Sequence, residues 1–207
     1  MLTAAERATF VNRGKLLSRV TLAYNSAEGV AAIVTGALAG SVALMGFGID
    51  SVIEVVSSVA ALRRLGADAD AEQRARAERL SLRIIGACFI ALALYIALEA
   101  GHALLTHDVP RRTIPGIIVA ALSVVIMPLL ARAKRRVAVG LGSRALAADA
   151  TQTDLCMYLS AILLCGLLLN ALVGWWWADP VAALIMVPII AREGLEGLRG
   201  EDGCDDC

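Results

Sequence analysis

Two acidic residues, Asp50 and Glu54, lie four positions apart in an otherwise apolar stretch of the sequence. This spacing places both carboxylates on one face of a helix. Gln152 and Cys156 repeat the same spacing in a second apolar stretch. Two close carboxylates repel each other when both are ionised, and a divalent cation relieves that repulsion while protons compete for the same oxygens. The pattern therefore predicts a site that exchanges a cation for protons.

The donor atoms of these four side chains indicate the class of cation. Two carboxylates, an amide oxygen and a thiol suit zinc or a similar borderline metal. Magnesium prefers oxygen ligands alone and would leave Cys156 unexplained. Two other roles stay open at this stage: Cys156 as a small packing residue and Gln152 as the source of an interhelical hydrogen bond.

Further polar residues accompany the two pairs. Asp149 lies one turn before Gln152, where we expect it to line a cytoplasmic entrance, and Asp154 faces away from Gln152. For Asp154 a metal role and an ion pair with a basic loop residue both remain open. For Asn25 and Glu28 two roles stay open: a structural or proton-relay pair near the inner end of their own span, and a ligand role. The candidate metal ligands are Asp50, Glu54, Gln152, Cys156, Asp149 and Asp154.

The composition indicates that lipid surrounds these residues. Hydrophobic residues make up 58% of the 207-residue chain and charged residues 18%, with a mean hydropathy of +0.72. Soluble domains carry more charge and fewer apolar residues. The 19 basic residues balance 19 acidic ones, which argues against a nucleic-acid-binding protein.

Six apolar stretches are long enough to predict an all-α membrane protein with a bundle of six transmembrane helices. Residues 1–19 would form a cytoplasmic N-terminal segment, residues 20–191 the transmembrane domain and residues 192–207 a short cytoplasmic tail. In that tail Cys204 and Cys207 form a Cys-x-x-Cys pair among acids, for which capture of a soft metal is one hypothesis. The predicted spans are 20–39, 41–62, 82–105, 114–131, 145–174 and 177–191.

Basic residues near the membrane surface predict the depth of the candidate ligands. Glu54 lies nine residues from Arg63 and Gln152 eight residues from Arg144, which places both about 12–14 Å into the membrane. By the same count Asp50 and Cys156 lie about 18–20 Å in. If the second and fifth helices are neighbours, the four side chains form a square near the middle of the membrane.

The distribution of basic residues predicts the orientation. Of the 19 basic residues, 17 fall on the side of the two termini, and only Arg111 and Arg112 fall on the other. The positive-inside rule then places both termini in the cytoplasm, and Trp175, Trp176 and Trp177 at the outer interface. We expect a multi-pass protein of a bacterial inner or plasma membrane.

With these motifs in view, the chain resembles the cation diffusion facilitator family. The resemblance rests on residues 50–54 (DSVIE) and 148–156 (ADATQTDLC), supported by 40–44 (GSVAL) and 177–183 (WADPVAA). It implies a homodimer of six-helix chains that exports zinc or related divalent cations in exchange for protons.

The resemblance also implies a ligand set. The family's central site takes two residues four apart from the second helix, which Asp50 and Glu54 match, and often His-x-x-x-Asp from the fifth. Gln152 and Cys156 fall at those fifth-helix positions, which is a departure from the family pattern. The chain is expected to be a short member without the cytosolic C-terminal domain.

Transport of a divalent cation, zinc first, is therefore the main hypothesis. No tightly bound cofactor is expected; the partners are the metal ion, protons as counter-ion and the lipid bilayer. The alternative is a membrane metal-binding sensor or partner subunit that keeps the fold without transporting. An intramembrane enzyme is not expected, because the spans lack a nucleophilic or two-histidine metal motif.

Overall fold

The computed structural model describes residues 4–66, 71–107 and 109–199. These residues form six helices, as the apolar stretches predict, and within these ranges there is no strand. The predicted fold class is confirmed. The tail cysteines Cys204 and Cys207 lie outside the described residues. The helices are α1 (Ala4–Ala39), α2 (Val42–Gly66), α3 (Ala71–Thr106), α4 (Ile114–Leu141), α5 (Arg144–Val173) and α6 (Ala178–Arg199).

Four of the helices are long and apolar enough to cross a membrane by length and composition. The other two carry polar residues that lower their hydropathy: Asn25 and Glu28 in α1, and Asp179, Arg192 and Glu193 in α6. The chain is thus a multi-pass membrane protein. The four apolar spans are Val42–Arg63, Gly86–Thr106, Ile114–Leu141 and Asp149–Val173.

The end of α4 departs from the sequence expectation. A fourth span ending at residue 131 was predicted, with Lys134 in the following loop, but the helix continues to Leu141. Gly142 ends it in the left-handed conformation, with φ of 58°, and its backbone N–H caps the carbonyls of Ala138 and Val139. Lys134 is therefore a helical residue, and its side chain is buried.

Helix α2 lies at the centre of the bundle, in contact with α1, α3, α5 and α6, while α4 packs on α5 and α1. The contact between α1 and α2 is close because glycines line it. A Cβ atom on Gly48 would lie 2.9 Å from the backbone nitrogen of Ile33, and one on Gly36 would lie 2.9 Å from that of Met45. Gly36 thus lets the two helices approach closely, whereas Gly40 follows α1 in the left-handed region with φ of 66°.

Three interhelical connections meet at one end of the bundle. The Arg111 N–H donates to the Ala39 carbonyl at 2.7 Å, and the Asn170 amide donates to the Pro110 carbonyl at 3.1 Å. Near the same end, Asp179 of α6 accepts a 2.5 Å hydrogen bond from Ser41, the residue that precedes α2. A small apolar cluster closes the other end, formed by Leu65, Val137, Ala138, Leu141 and Leu146, with Phe10 packed on it.

Candidate metal centre

The two acids of α2 face α5 inside the bundle. Asp50 and Glu54 are each 3% exposed, and Cys156 of α5 is fully buried. The Cys156 thiol lies close to both carboxyls, and its sulfur lies 4.0 Å from Glu28 Oε2 and 4.0 Å from Ser123 Oγ. Helices α2 and α5 are in contact, which is the condition under which the four side chains were predicted to form a square. This contact places Cys156 beside Asp50, at the predicted level.

Gln152, the other predicted member of the square, has a different environment. Its side chain is buried, but its amide oxygen has no hydrogen-bond partner among the described residues. The next residue, Thr153, makes the contact with α2: its hydroxyl lies 2.6 Å from Glu54 Oε1 and 3.0 Å from the Asp149 carbonyl. Thr153 is thus a site residue that the candidate set omits.

A buried ammonium group completes this side of the site. Lys134 of α4 is 1% exposed, and its Nζ lies 3.0 Å from Asp149 Oδ2, 2.9 Å from Thr153 Oγ1 and 3.8 Å from Glu54 Oε1. Ser57 and Ser58 of α2 also donate to Asp149 Oδ1, at 3.5 and 3.4 Å. Asp149 is therefore neutralised inside the protein instead of lining an open entrance as expected.

Lys134 is absent from the predicted site because it lies in a run of basic residues that was expected to form a loop. A signal for its position was present in the sequence. The spacing of Ala131, Lys134, Ala138 and Leu141 continues the buried stripe of α4 at helical intervals, past the first basic residue, Arg132. A helix extended on that pattern would have turned Lys134 inward.

A third acid, Glu28 of α1, also reaches this region. It is 5% exposed; its Oε2 accepts a hydrogen bond from Ser51 at 3.2 Å and lies 4.0 Å from Cys156 Sγ. Glu28 is not hydrogen-bonded to Asn25, whose amide has no hydrogen-bond partner among the described residues, and it lies with the acids of α2. The depth count could have found it, because Glu28 lies nine residues from Arg19, as Glu54 does from Arg63.

Asp154 lies apart from this cluster. Its carboxylate forms an ion pair with Arg135 of α4, and its side chain is 28% exposed. An ion pair with a basic loop residue was one alternative for Asp154; the pair forms, but Arg135 belongs to α4 and not to a loop. The structure therefore brings together Asp50, Glu54, Asp149 and Cys156, leaves Gln152 at the margin and places Asp154 outside.

The cluster is polar but is not arranged as a finished metal cage. Within the described ranges, no three His, Cys, Asp or Glu side chains converge at metal-binding distances. Several buried oxygens nevertheless lack a hydrogen-bond partner there, namely Glu28 Oε1, Glu54 Oε2 and Gln152 Oε1. A buried oxygen without a hydrogen-bond partner raises the free energy of the folded protein. A bound cation would remove this cost, and small shifts of the side chains would bring the oxygens to it.

Comparisons with known proteins find similarity to cation-efflux proteins. The family model of the cation efflux transmembrane domain matches residues 18–199. The chain is also 23% identical, over 188 residues, to the cation-efflux pump FieF of Shewanella oneidensis. The matched segment covers 88% of this chain and 63% of that relative, so the chain spans under two thirds of the relative's length.

Proposed function

Because the chain belongs to the cation efflux family, we propose that it carries a divalent metal cation, zinc or a similar ion, out of the cytoplasm in exchange for protons. The observation that carries this proposal is the buried pair Asp50 and Glu54, which lie beside the buried thiol of Cys156 between α2 and α5. Two acids in a low-dielectric interior need a positive partner, and ionisable groups within spans mark ion pathways.

The charges of the site favour a divalent ion. Lys134 contacts Asp149 at 3.0 Å and therefore compensates that carboxylate within the protein. Glu54 lies 3.8 Å from the same ammonium, and Asp50 and Glu28 bring the buried acids of the site to four against the single charge of Lys134. A divalent cation offsets more of this excess than a monovalent ion does. On the return step protons would replace the cation on these carboxyls.

The donor set favours zinc or a softer relative over magnesium. Cys156 supplies sulfur beside the oxygens of Asp50 and Glu54, and thiolates bind zinc in preference to hard cations. The resemblance to cation-efflux proteins further supports export as the direction of transport and a homodimer as the assembly. Transport would proceed by alternating access, with the site between α2 and α5 opening to one side at a time.

Flux measurements in proteoliposomes test this proposal. The purified chain is reconstituted with a zinc-sensitive dye inside the vesicles, and zinc entry is followed for the parent protein, Asp50→Asn and Glu99→Gln. We expect Asp50→Asn to abolish flux. Glu99→Gln, a matched change at an exposed acid of α3, should retain it.

The outcomes separate the alternatives. Flux through Asp50→Asn equal to that of the parent would end the assignment of the site. If the parent binds zinc tightly but carries no flux, the sensor or partner-subunit hypothesis replaces transport. Parent flux that does not respond to an imposed pH gradient would reject proton exchange while keeping metal transport.

A further inference from the structure

We propose that Glu28 of α1 is a direct ligand of the transported cation, so that three helices, α1, α2 and α5, hold the ion together. This inference rests on the proposed function and adds a ligand that the pattern of the second and fifth helices does not contain. Its basis is the position of the Glu28 carboxyl against Cys156 and the acids of α2.

The distance between Glu28 and Cys156 fits two ligands of one metal ion. Zinc binds thiolate sulfur at about 2.3 Å and carboxylate oxygen at about 2.1 Å, so in tetrahedral geometry the two ligand atoms are about 3.6 Å apart. Glu28 Oε2 lies 4.0 Å from Cys156 Sγ. A shift of a few tenths of an ångström would therefore let one ion bridge the two side chains.

One oxygen of the Glu28 carboxyl lacks a hydrogen-bond partner. Ser51 donates to Oε2, and the side chains of Tyr24 and Ser123 lie near the carboxyl, but Oε1 is buried and accepts no hydrogen bond in the part of the chain that the structure describes. The Glu28 side chain is only 5% exposed. A structural glutamate at this depth would be expected to satisfy both oxygens, whereas a ligand oxygen is left for the ion.

The close packing of α1 on α2 brings Glu28 to this position. A Cβ atom on the neighbouring Gly29 would lie 3.2 Å from the Gly48 carbonyl oxygen and 3.3 Å from Ser51 Cβ. The absence of a side chain at residue 29 thus lets the α1 backbone approach within reach of Ser51. As a result Glu28 lies close enough to Asp50 and Glu54 for their carboxyls to interact.

The resulting donor set defines the substrate class. Glu28, Asp50 and Glu54 supply carboxylate oxygens and Cys156 supplies sulfur, which replaces the imidazole and carboxylate that the family often takes from the fifth helix. Three oxygens and one sulfur suit a four-coordinate borderline cation such as Zn²⁺ or Cd²⁺. Glu28 would thus compensate for the departure at Gln152 and Cys156.

Cadmium titration of a protein with one thiol tests the ligand role. Cys88, Cys165, Cys204 and Cys207 are replaced by serine, which leaves Cys156 as the only sulfur that can give a thiolate-to-cadmium absorption band. Affinity is measured for this parent, Glu28→Gln and the matched exposed change Glu99→Gln. We expect Glu28→Gln to weaken cadmium binding at least about tenfold, since even groups that only support a ligand cost that much, and Glu99→Gln to leave it unchanged.

A gain of sulfur distinguishes a ligand from a supporting residue. In the same background, Glu28→Cys places a second thiol at the proposed ligand position, and Ser26→Cys places one on the exposed face of the same helix. With a non-thiol reductant present, we expect the absorption per bound cadmium to rise about twofold for Glu28→Cys, because two thiolates then bind the ion. Ser26→Cys should leave it at the parent value.

The results separate this inference from the proposed function. If Glu28→Gln binds like the parent and Glu28→Cys adds no absorption, Glu28 is not a ligand. Loss of binding in Asp50→Asn in that case would still support the site between α2 and α5. If Asp50→Asn also binds cadmium like the parent, both the inference and the proposed site are wrong.

Discussion

Lys134 places a positive charge beside the buried acids of the site. Its ammonium is 1% exposed and contacts Asp149 and Thr153, while Glu54 lies at 3.8 Å. Charges removed from water are tolerated when they are paired and hydrogen-bonded. Lys134 therefore joins α4 to α5 and offsets one negative charge among the buried acids of the site.

The Lys134–Asp149 pair makes a stability prediction. Lys134→Met leaves the Asp149 carboxylate buried without its cation, and we expect a loss of about 3–5 kcal/mol. Thermal unfolding in detergent micelles would show this as a lower Tm. The double variant Lys134→Met/Asp149→Asn removes both charges and should recover most of the loss. Equal Tm values for the single variant and the parent would show that the pair does not contribute to stability.

Helix α1 depends on glycines for its position against α2. A Cβ atom on Gly48 would lie 2.7 Å from Ile33 Cγ1 and 2.9 Å from the Ile33 backbone nitrogen. Side chains can rotate away from an added methyl group, but a helix backbone moves only with the whole helix. The reach of Glu28 toward Cys156 therefore depends on residues that carry no chemistry themselves.

Gly48→Ala tests this packing. We expect the added methyl group to separate α1 from α2 and to destabilise the protein by about 1–3 kcal/mol, the usual cost of overpacking. Cadmium affinity should fall with it, because Glu28 moves away from Cys156.

Gly101→Ala is the control for that experiment, since a Cβ atom there would have no atom within 4 Å. Its Tm should stay the same or rise slightly, as alanine is the better helix former. A Gly48→Ala protein with the stability of Gly101→Ala would contradict the close approach of the two helices.

The position at which α4 ends determines whether Lys134 belongs to the site. The predicted span ends just before the first basic residue, Arg132, where a loop normally begins. The helix instead continues for ten residues, from Arg132 to Leu141, and only one of its early basic residues, Lys134, turns inward. Local sequence shows a run of basic residues, whereas the acids that can neutralise one of them come from α2 and α5.

The bundle as a whole has two distinct ends. The three connections that meet near Ala39, Pro110 and Trp177 lie at one end, and the cluster around Leu65 and Leu146 lies at the other. Basic residues gather toward the second end. From this distribution the positive-inside rule predicts that the second end, with both termini, faces the cytoplasm.

Labelling of single cysteines in intact cells tests that orientation. In a cysteine-free background, Val109→Cys lies in the exposed connection before α4, and Leu198→Cys lies near the end of α6. We expect a membrane-impermeant maleimide to label Val109→Cys from outside and Leu198→Cys only after the cells are opened. The reverse pattern would show that the termini face outward.

The number of helices and the face shared by Asp50 and Glu54 could be predicted from the sequence, because both follow from local composition and spacing. The lengths of apolar stretches give six helices, and the four-residue spacing gives the shared face of Asp50 and Glu54, because lipid thickness and helix geometry act on consecutive residues. The spacing from the basic residues also placed Cys156 level with Asp50.

Only the tertiary structure decided which side chains meet. Glu28 joins the acids of α2 because two helices approach through glycines, and Lys134 neutralises Asp149 because α4 continues past its basic residues. Thr153, not Gln152, hydrogen-bonds Glu54 because of the rotation of α5 against α2. Each of these contacts joins residues from different helices, and such pairings depend on packing between helices, which periodicity within one helix does not specify.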